Sequence, residues 1–355
     1  MKKLRIAQLV CLATVFGAGL GAAPSAVADH RTHVVHPGES IQQAVDAAKE
    51  GETVLLTAGT FRESVTVRTS GLTLRGAGHN TVIAPARKKA ATDTCAKEGN
   101  GICVVGTKNR NVKNVTVASL TVTGFTGSGV SAASTDRLAV RDVAAVRNGV
   151  WGIAQEASVR GVFRNNIARL NGDAGLFLAN TIKAEQGATD TKGTVVAHNR
   201  LENNRIGLTV RRLRNLMVAD NHVTGNCVGI FVVGDENKPR AGALTVREND
   251  IERNNRSCPK TARLDALQGT GIVLTGTEDT LVTGNQIREN VGNSPLSGGI
   301  VVWKSFVGTT SERNRITDNV VEHNAPADLV NTDTAGKGNI FQGNTCGASR
   351  PAGLC

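Results

Sequence analysis

Apolar and polar residues alternate along most of this chain in short stretches separated by Asn and Gly. From about residue 140 one phrase recurs: an Asn, an aliphatic residue two on, a second Asn five on, then Gly and an aliphatic run. It begins at Asn199, Asn221, Asn249, Asn285 and Asn319, and a final Asn344 follows. The second Asn of each unit is Asn204, Asn226, Asn254, Asn290 and Asn324; earlier units read as Asp142/Asn148 and Asn165/Asn171, each with one extra residue. The spacings of 22, 28, 36 and 34 residues predict a uniform core carrying loops of variable length. A period of two predicts strands, with Leu216, Val218, Val223, Ile230 and Val232 pointing inward. Such a unit is too short to bury its own apolar face, whereas stacked units bury a continuous one. Asn suits the bends because it tolerates left-handed backbone, and its amide can bond the Asn of the next coil. The leucine-rich phrase is absent, and few patterns reach helix length, which excludes a Rossmann or barrel reading.

One helix stands before the coils. In SIQQAVDAAKEG, Ser40 is the N-cap, Ile41, Ala44, Val45 and Ala48 form an apolar face, and Gly51 is the stop. It is expected to cover the open strand edges at one end of the stack. Ahead of it, Lys2, Lys3 and Arg5, an apolar run from Ile6 to Leu20 and Ala26-Val27-Ala28 read as an export signal over residues 1–28. The expected organisation is a mature domain over 29–355. Within it, 33–70 form the N-terminal cap, 71–346 the coils and 347–355 a C-terminal tail.

Charge and cysteine change the picture next. Loss of Lys2, Lys3 and Arg5 from 41 Lys+Arg leaves 38 against 30 acids, a net +8. That charge suits an acidic partner: polyuronates, teichoic acids, sulfated glycans or surface phosphates. Nucleic acid is not expected, because there is no Tyr, only two Trp, and no Lys/Arg-rich tract. Six cysteines remain without Cys11, an even number that implies disulfides in an oxidising compartment. Closeness in sequence favours Cys95 with Cys103, Cys227 with Cys258, and Cys346 with Cys355. None has the spacing of a zinc site, and no cofactor is expected.

The stretch PGESIQQAVDAAKEGETVLLTAGTFRESVTV, followed by GLTLRGAG, resembles the N-terminal cap of pectin-lyase-like right-handed β-helix proteins. The later Asn/Gly phrases resemble the repeats of carbohydrate-binding and sugar-hydrolysing β-helices. The resemblance spans residues 33–346. It implies an all-β, three-faced, right-handed parallel β-helix, here of about ten coils. It does not fix an activity, since that superfamily holds lyases, hydrolases, epimerases and non-catalytic members. The acidic column of calcium-dependent pectate lyases has no counterpart: Ala197, Ala219, Arg247, Thr283 and Thr317 hold the matching places. The Asp-Asp, Gly-His-Gly and Arg-Ile-Lys signatures of polygalacturonases and the Asp-Pro-His-Asp signature of mannuronan epimerases are missing too.

Two constellations are candidates for chemistry. Arg200, His222 and Asp250 take equivalent places in successive units, with Glu202, Thr224 and Glu252 two residues on. At ~4.8 Å per coil, Glu202 and Glu252 stand roughly 9–10 Å apart, a distance that suits an inverting carboxylate pair. A solvated face of alternating charge is the competing reading. On the strand after Gly, Phe177, Thr209, Phe231, Val273 and Val301 form one outward column, and Ala179, Arg211, Val233, Thr275 and Trp303 the next, with Lys304 at the edge. Phe177, Phe231, Trp303 and Lys304 are therefore expected to bind an acidic polysaccharide, unless inserted loops 181–192 or 256–269 fold over them. Arg211, His222 and Arg247 are the candidates to neutralise a uronate and take its C5 proton. The expected protein is a secreted, monomeric, extracellular polysaccharide-active one without a retained membrane anchor, acting as a metal-independent lyase. The alternative is a non-catalytic glycan- or wall-binding β-helix.

Overall fold

The structure, a computed structural model, describes residues 31–87, 94–107, 109–182, 186–262 and 264–355. Residues 1–28, which read as an export signal in the sequence, lie outside them. Residues 31–355 form one compact unit of stacked parallel coils. Each full coil supplies three strands, as Leu213–Ala219, His222–Thr224 and Val228–Val233 show. We call their stacks the first, second and third faces. The third face is a parallel sheet of eleven strands, from Val65–Val67 to Ser349–Arg350, one more than the coil number expected. Leu216, Val218, Val223, Ile230 and Val232 point inward into a core that runs the length of the stack. No helix among the described residues is long and apolar enough to cross a membrane.

The helix spans Ile41–Ala47, with Ile41 and Val45 buried. The Ser40 hydroxyl accepts from the Gln43 N–H at 3.3 Å. The Glu63 carboxylate, brought in from the coil, accepts from the Ile41 N–H at 2.6 Å and the Gln42 N–H at 3.2 Å. The helix ends before Gly51 because Ala48 is already extended, and the Lys49 N–H turns to the Glu52 carboxylate at 2.9 Å. At the other end, the segment read as a tail supplies the strand Ser349–Arg350, which pairs with Leu329 and Val330. The disulfides are Cys95–Cys103, Cys227–Cys258 and Cys346–Cys355.

Two asparagine ladders fix the register of the coils. In one, the side-chain amides of Asn166, Asn199, Asn221, Asn249, Asn285 and Asn319 each donate to the carbonyl oxygen of the next, ending at Asn344. The other runs Asn148, Asn171, Asn204, Asn226, Asn254, Asn290 and Asn324, and ends on Asp328. Two details differ from expectation. The ladder residue of the earlier unit is Asn166 rather than Asn165, so that unit has no extra residue. The left-handed positions are those just before each ladder Asn, among them His198 (φ 56), Asp220 (φ 55), Glu248 (φ 55) and Arg253 (φ 49). The ladder residues are thus held by hydrogen bonds and not by a tolerance for positive φ. The Gly of each phrase has a steric reason: a Cβ at Gly229 would lie 2.5 Å from the Gly271 carbonyl oxygen of the next coil.

Asn226 donates to Leu201 O at 2.9 Å, Thr224 O at 3.1 Å and Asn254 Oδ1 at 2.8 Å, and accepts from the Asn204 N–H at 2.8 Å. Asn226→Leu leaves these buried partners unpaired and is expected to lower stability by roughly 1–3 kcal/mol. Thermal melts check this; an unchanged midpoint would mean that the ladder contributes nothing at that coil.

Candidate functional site

The outward columns of the third face align as the strand period requires. Phe177 pairs with Thr209, then Phe231, Val273 and Val301, while Ala179 pairs with Arg211, then Val233, Thr275 and Trp303. They do not form one open surface. Phe231 is 1% exposed and Phe177 8%, in a second apolar cluster with Val273, Val301, Leu267 and Leu296. Apolar residues of the segments after Asn254 and Asn290 fold back onto the sheet, and Cys227–Cys258 pins the first of them. The expectation of Phe177 and Phe231 as an exposed binding strip is corrected: both side chains are mostly covered.

What remains open is a cleft of about 520 Å³ over the middle coils. Trp151, half-buried, stacks on Phe177 with ring centroids 4.2 Å apart and planes 12° apart. Its indole N–H donates to Asp173 Oδ2 at 3.0 Å, which holds the ring in place. Phe231 lies in the floor, met edge-on by Phe306 at 6.3 Å. The charged lining is Asp173, Arg211, Arg212, Asp235 and Glu236. Arg212 and Asp235 are ion-paired and largely buried, so that pair is part of the wall. Arg211 is half-buried and donates to the Thr181 carbonyl at 3.3 Å. Trp303 and Lys304 line a separate cleft of about 180 Å³, divided from the larger one by Leu264 and Phe306, which border both.

The catalytic candidates do not converge. Arg211 is on the third face, His222 on the second and Arg247 on the first. Of the three, Arg211 lines the open cleft, while His222 and Arg247 leave from the other two strand stacks. The column Arg200, His222, Asp250 is in register, and its groups are already paired. His222 Nδ1 lies 3.1 Å from Asp250 Oδ2. Arg288 reaches Asp250 at 3.0 Å and Glu252 at 3.1 Å, and Arg200 reaches Glu202 at 2.7 Å. Glu202 and Glu252 are two coils apart, as expected, but each carboxylate is tied to an arginine. Arg247 is paired with Glu248 beside it. A further network joins Arg214, Arg240 and Arg313 to Glu278, Asp279 and Glu312. Its Arg313 bond holds the Asp279 carboxyl below the usual range.

Trp151, Asp173 and Phe306 escaped the sequence reading. Trp151 sits at the bend before its third-face strand, outside the period-two columns. The usable signal was the repeated Asn-Gly-x-x-Gly of Asn148–Gly152 and Asn171–Gly175, which puts Trp151 and Asp173 one above a neighbour of the other.

Residues 61–251, more than half of the chain, match the family described as right handed beta helix region, and the chain belongs to that family. Residues 180–346 match a family described as periplasmic copper-binding protein (NosD). No curated protein matches the chain. Among solved structures it is similar to the mannuronan C-5 epimerase AlgE6 A-module of Azotobacter vinelandii, with 21% identity, 86% of this chain and 89% of that one covered, and a TM-score of 0.58. It is similar to an alginate lyase of Paenibacillus sp. (15%, 90% and 98%, 0.59). It is also similar to DFA-IIIase of Arthrobacter chlorophenolicus (14%, 83% and 76%, 0.59). Identities this low establish the shared fold.

A copper centre, named in the second family's description, would need suitable donors in this chain. Copper favours thiolate, thioether and imidazole ligands. The six cysteines after residue 28 are all in disulfides, and Met217 is the one methionine there. His222, Asp250 and Glu252 offer ligand atoms within 4.8 Å of one another, but the Arg288 guanidinium already serves both carboxylates. These residues do not fit a copper centre.

Proposed function

We propose that this is a secreted, polysaccharide-active β-helix protein that takes a sugar chain into the third-face cleft. The observation that carries the proposal is the Trp151–Phe177 stack beside Arg211, Asp173 and Glu236 in one open cleft. A flat aromatic ring receives a sugar face, and an arginine pairs a carboxylate with two parallel hydrogen bonds. Three disulfides suit an oxidising, extracellular or periplasmic location.

The finer reading is elimination on an acidic glycan. Arg211 neutralises the uronate carboxylate, which makes the C5 proton more acidic. A cleft carboxylate, Asp173 or Glu236, takes that proton. The electron pair forms the C4–C5 double bond as the C4–O bond to the leaving sugar breaks, and the leaving oxygen takes a proton from the carboxylic acid just formed or from water. This replaces His222 and Arg247, which face elsewhere.

The test is incubation with alginate and polygalacturonate, following the ultraviolet absorbance of unsaturated ends alongside calorimetric binding. Trp151→Ala is expected to weaken binding by about 5- to 30-fold, the equivalent of ~1–2 kcal/mol for a true anchor. Arg211→Gln is expected to abolish the absorbance change. Binding without unsaturated ends leaves a non-catalytic glycan binder. Binding unaffected by Trp151→Ala removes the cleft as the site.

A further inference from the structure

We propose that the first face anchors a linear phosphodiester polymer of the polyol-phosphate kind, independently of the cleft. One outward column of this face reads Arg75, Ala118, Arg141, Arg164, Ala197, Ala219 and Arg247 in successive coils. Thr283, Thr317 and Gln342 continue it, so no acid appears anywhere in it. Arg75, Arg141 and Arg164 are exposed. The nearest acid to Arg141 is its chain neighbour Asp142, at 4.0 Å. Among the described residues, Arg75 and Arg164 have no acid partner.

The second face supplies the contrast. There Arg200 is paired with Glu202, and Arg288 with Asp250 and Glu252. On the first face Arg141 and Arg164 are direct cross-strand neighbours with like charge, an arrangement that costs stability in the free protein. An anion laid along the column removes that cost. The charge is local to this part of the chain: residues 101–182 carry 9 Lys+Arg against 4 acids, and residues 186–355 carry 19 against 17.

Spacing favours one occupant. At ~4.8 Å per coil, Arg75 and Arg141 are about 10 Å apart, and Arg141 and Arg164 about 5 Å. A stiff sugar chain with one carboxylate per ring presents evenly spaced charges. A flexible polyol-phosphate backbone adapts to uneven ones, and guanidinium groups pair phosphate oxygens bidentately.

The experiment is calorimetry of the mature protein with poly(glycerol phosphate) at low and raised salt, with polygalacturonate as comparator. The triple variant Arg75→Gln/Arg141→Gln/Arg164→Gln is expected to lose about tenfold or more in affinity and to show a shallower salt dependence. Its melting temperature should equal or slightly exceed the parent's, because all three side chains are exposed and the like-charged contact of Arg141 with Arg164 is removed. Arg164→Gln alone should show a smaller loss in the same direction, and Trp151→Ala should bind this polymer as the parent does. Parent-like binding by the triple variant overturns the proposal, as does tighter binding of polygalacturonate than of the phosphodiester by the Trp151→Ala variant, in which the cleft is weakened.

Discussion

Phe231→Ala lowers the free energy of unfolding by about 3–5 kcal/mol, the range for emptying the site of a fully buried phenylalanine. The side chain points away from the central core, so its position in the strand alone would make it a surface residue. Its exposure is 1%. It packs in the second cluster with Phe177, Val228, Leu267 and Val273, and the Phe306 ring closes on it edge-on. Truncation therefore opens a cavity between sheet and covering loops, and it also lowers the floor of the cleft. Denaturant titration measures the loss. A change below about 1 kcal/mol would mean that the covering segments stand off the sheet in solution and that Phe231 is a surface aromatic after all. Thr209→Ala, in the same column one coil away, removes far less volume and serves as the control.

The stacking order was legible because two periodicities agree. The strand period of two decides which residues point outward, and the Asn phrase decides which of them meet in the next coil. Hence Arg200, His222 and Asp250 stand in line, as do Phe177, Thr209, Phe231, Val273 and Val301. What lies over an outward column is a different matter. The long spacings after Asn249 and Asn285 announce insertions, but a loop's direction depends on contacts that its length does not encode. Leu264, Leu267 and Leu296 carry those contacts, and nothing periodic marks them. The same limit hid the pairing of Arg288 with two acids from the neighbouring coil, which turned an apparent acid pair into a satisfied ion cluster. The left-handed positions were misplaced by one residue because Asn, a common left-handed residue, is used here for its amide; charged residues such as Asp220 and Glu248 take the strained backbone instead.

Cys227→Ser/Cys258→Ser is expected to cost about 3–4 kcal/mol, the largest effect among the three disulfides. In the chain-entropy account the stabilisation grows with the loop that is closed. This bridge spans 31 residues, against 8 for Cys95–Cys103 and 9 for Cys346–Cys355, for which the same relation gives about 2.5 kcal/mol each. The position matters as much as the length. Cys227 directly follows the ladder residue Asn226, so the bridge ties the covering segment to the most rigid part of the coil. Cys258 also exchanges backbone hydrogen bonds with Leu267, at 2.9 and 3.0 Å, which folds the segment into a hairpin-like cover. Arg205 donates to the Pro259 carbonyl at 2.8 Å, a tie that survives loss of the bridge. The double variant should therefore keep its coils and loosen its cover. Leu264, carried by that segment, borders both clefts, so glycan affinity at the third face should fall along with the melting temperature. Binding at the first-face arginines, on the other side of the coil's bends, should not change. Melting the variant beside the parent, with both ligands, separates these outcomes. A variant that melts like the parent would show that hydrogen bonds and apolar packing alone hold the cover down.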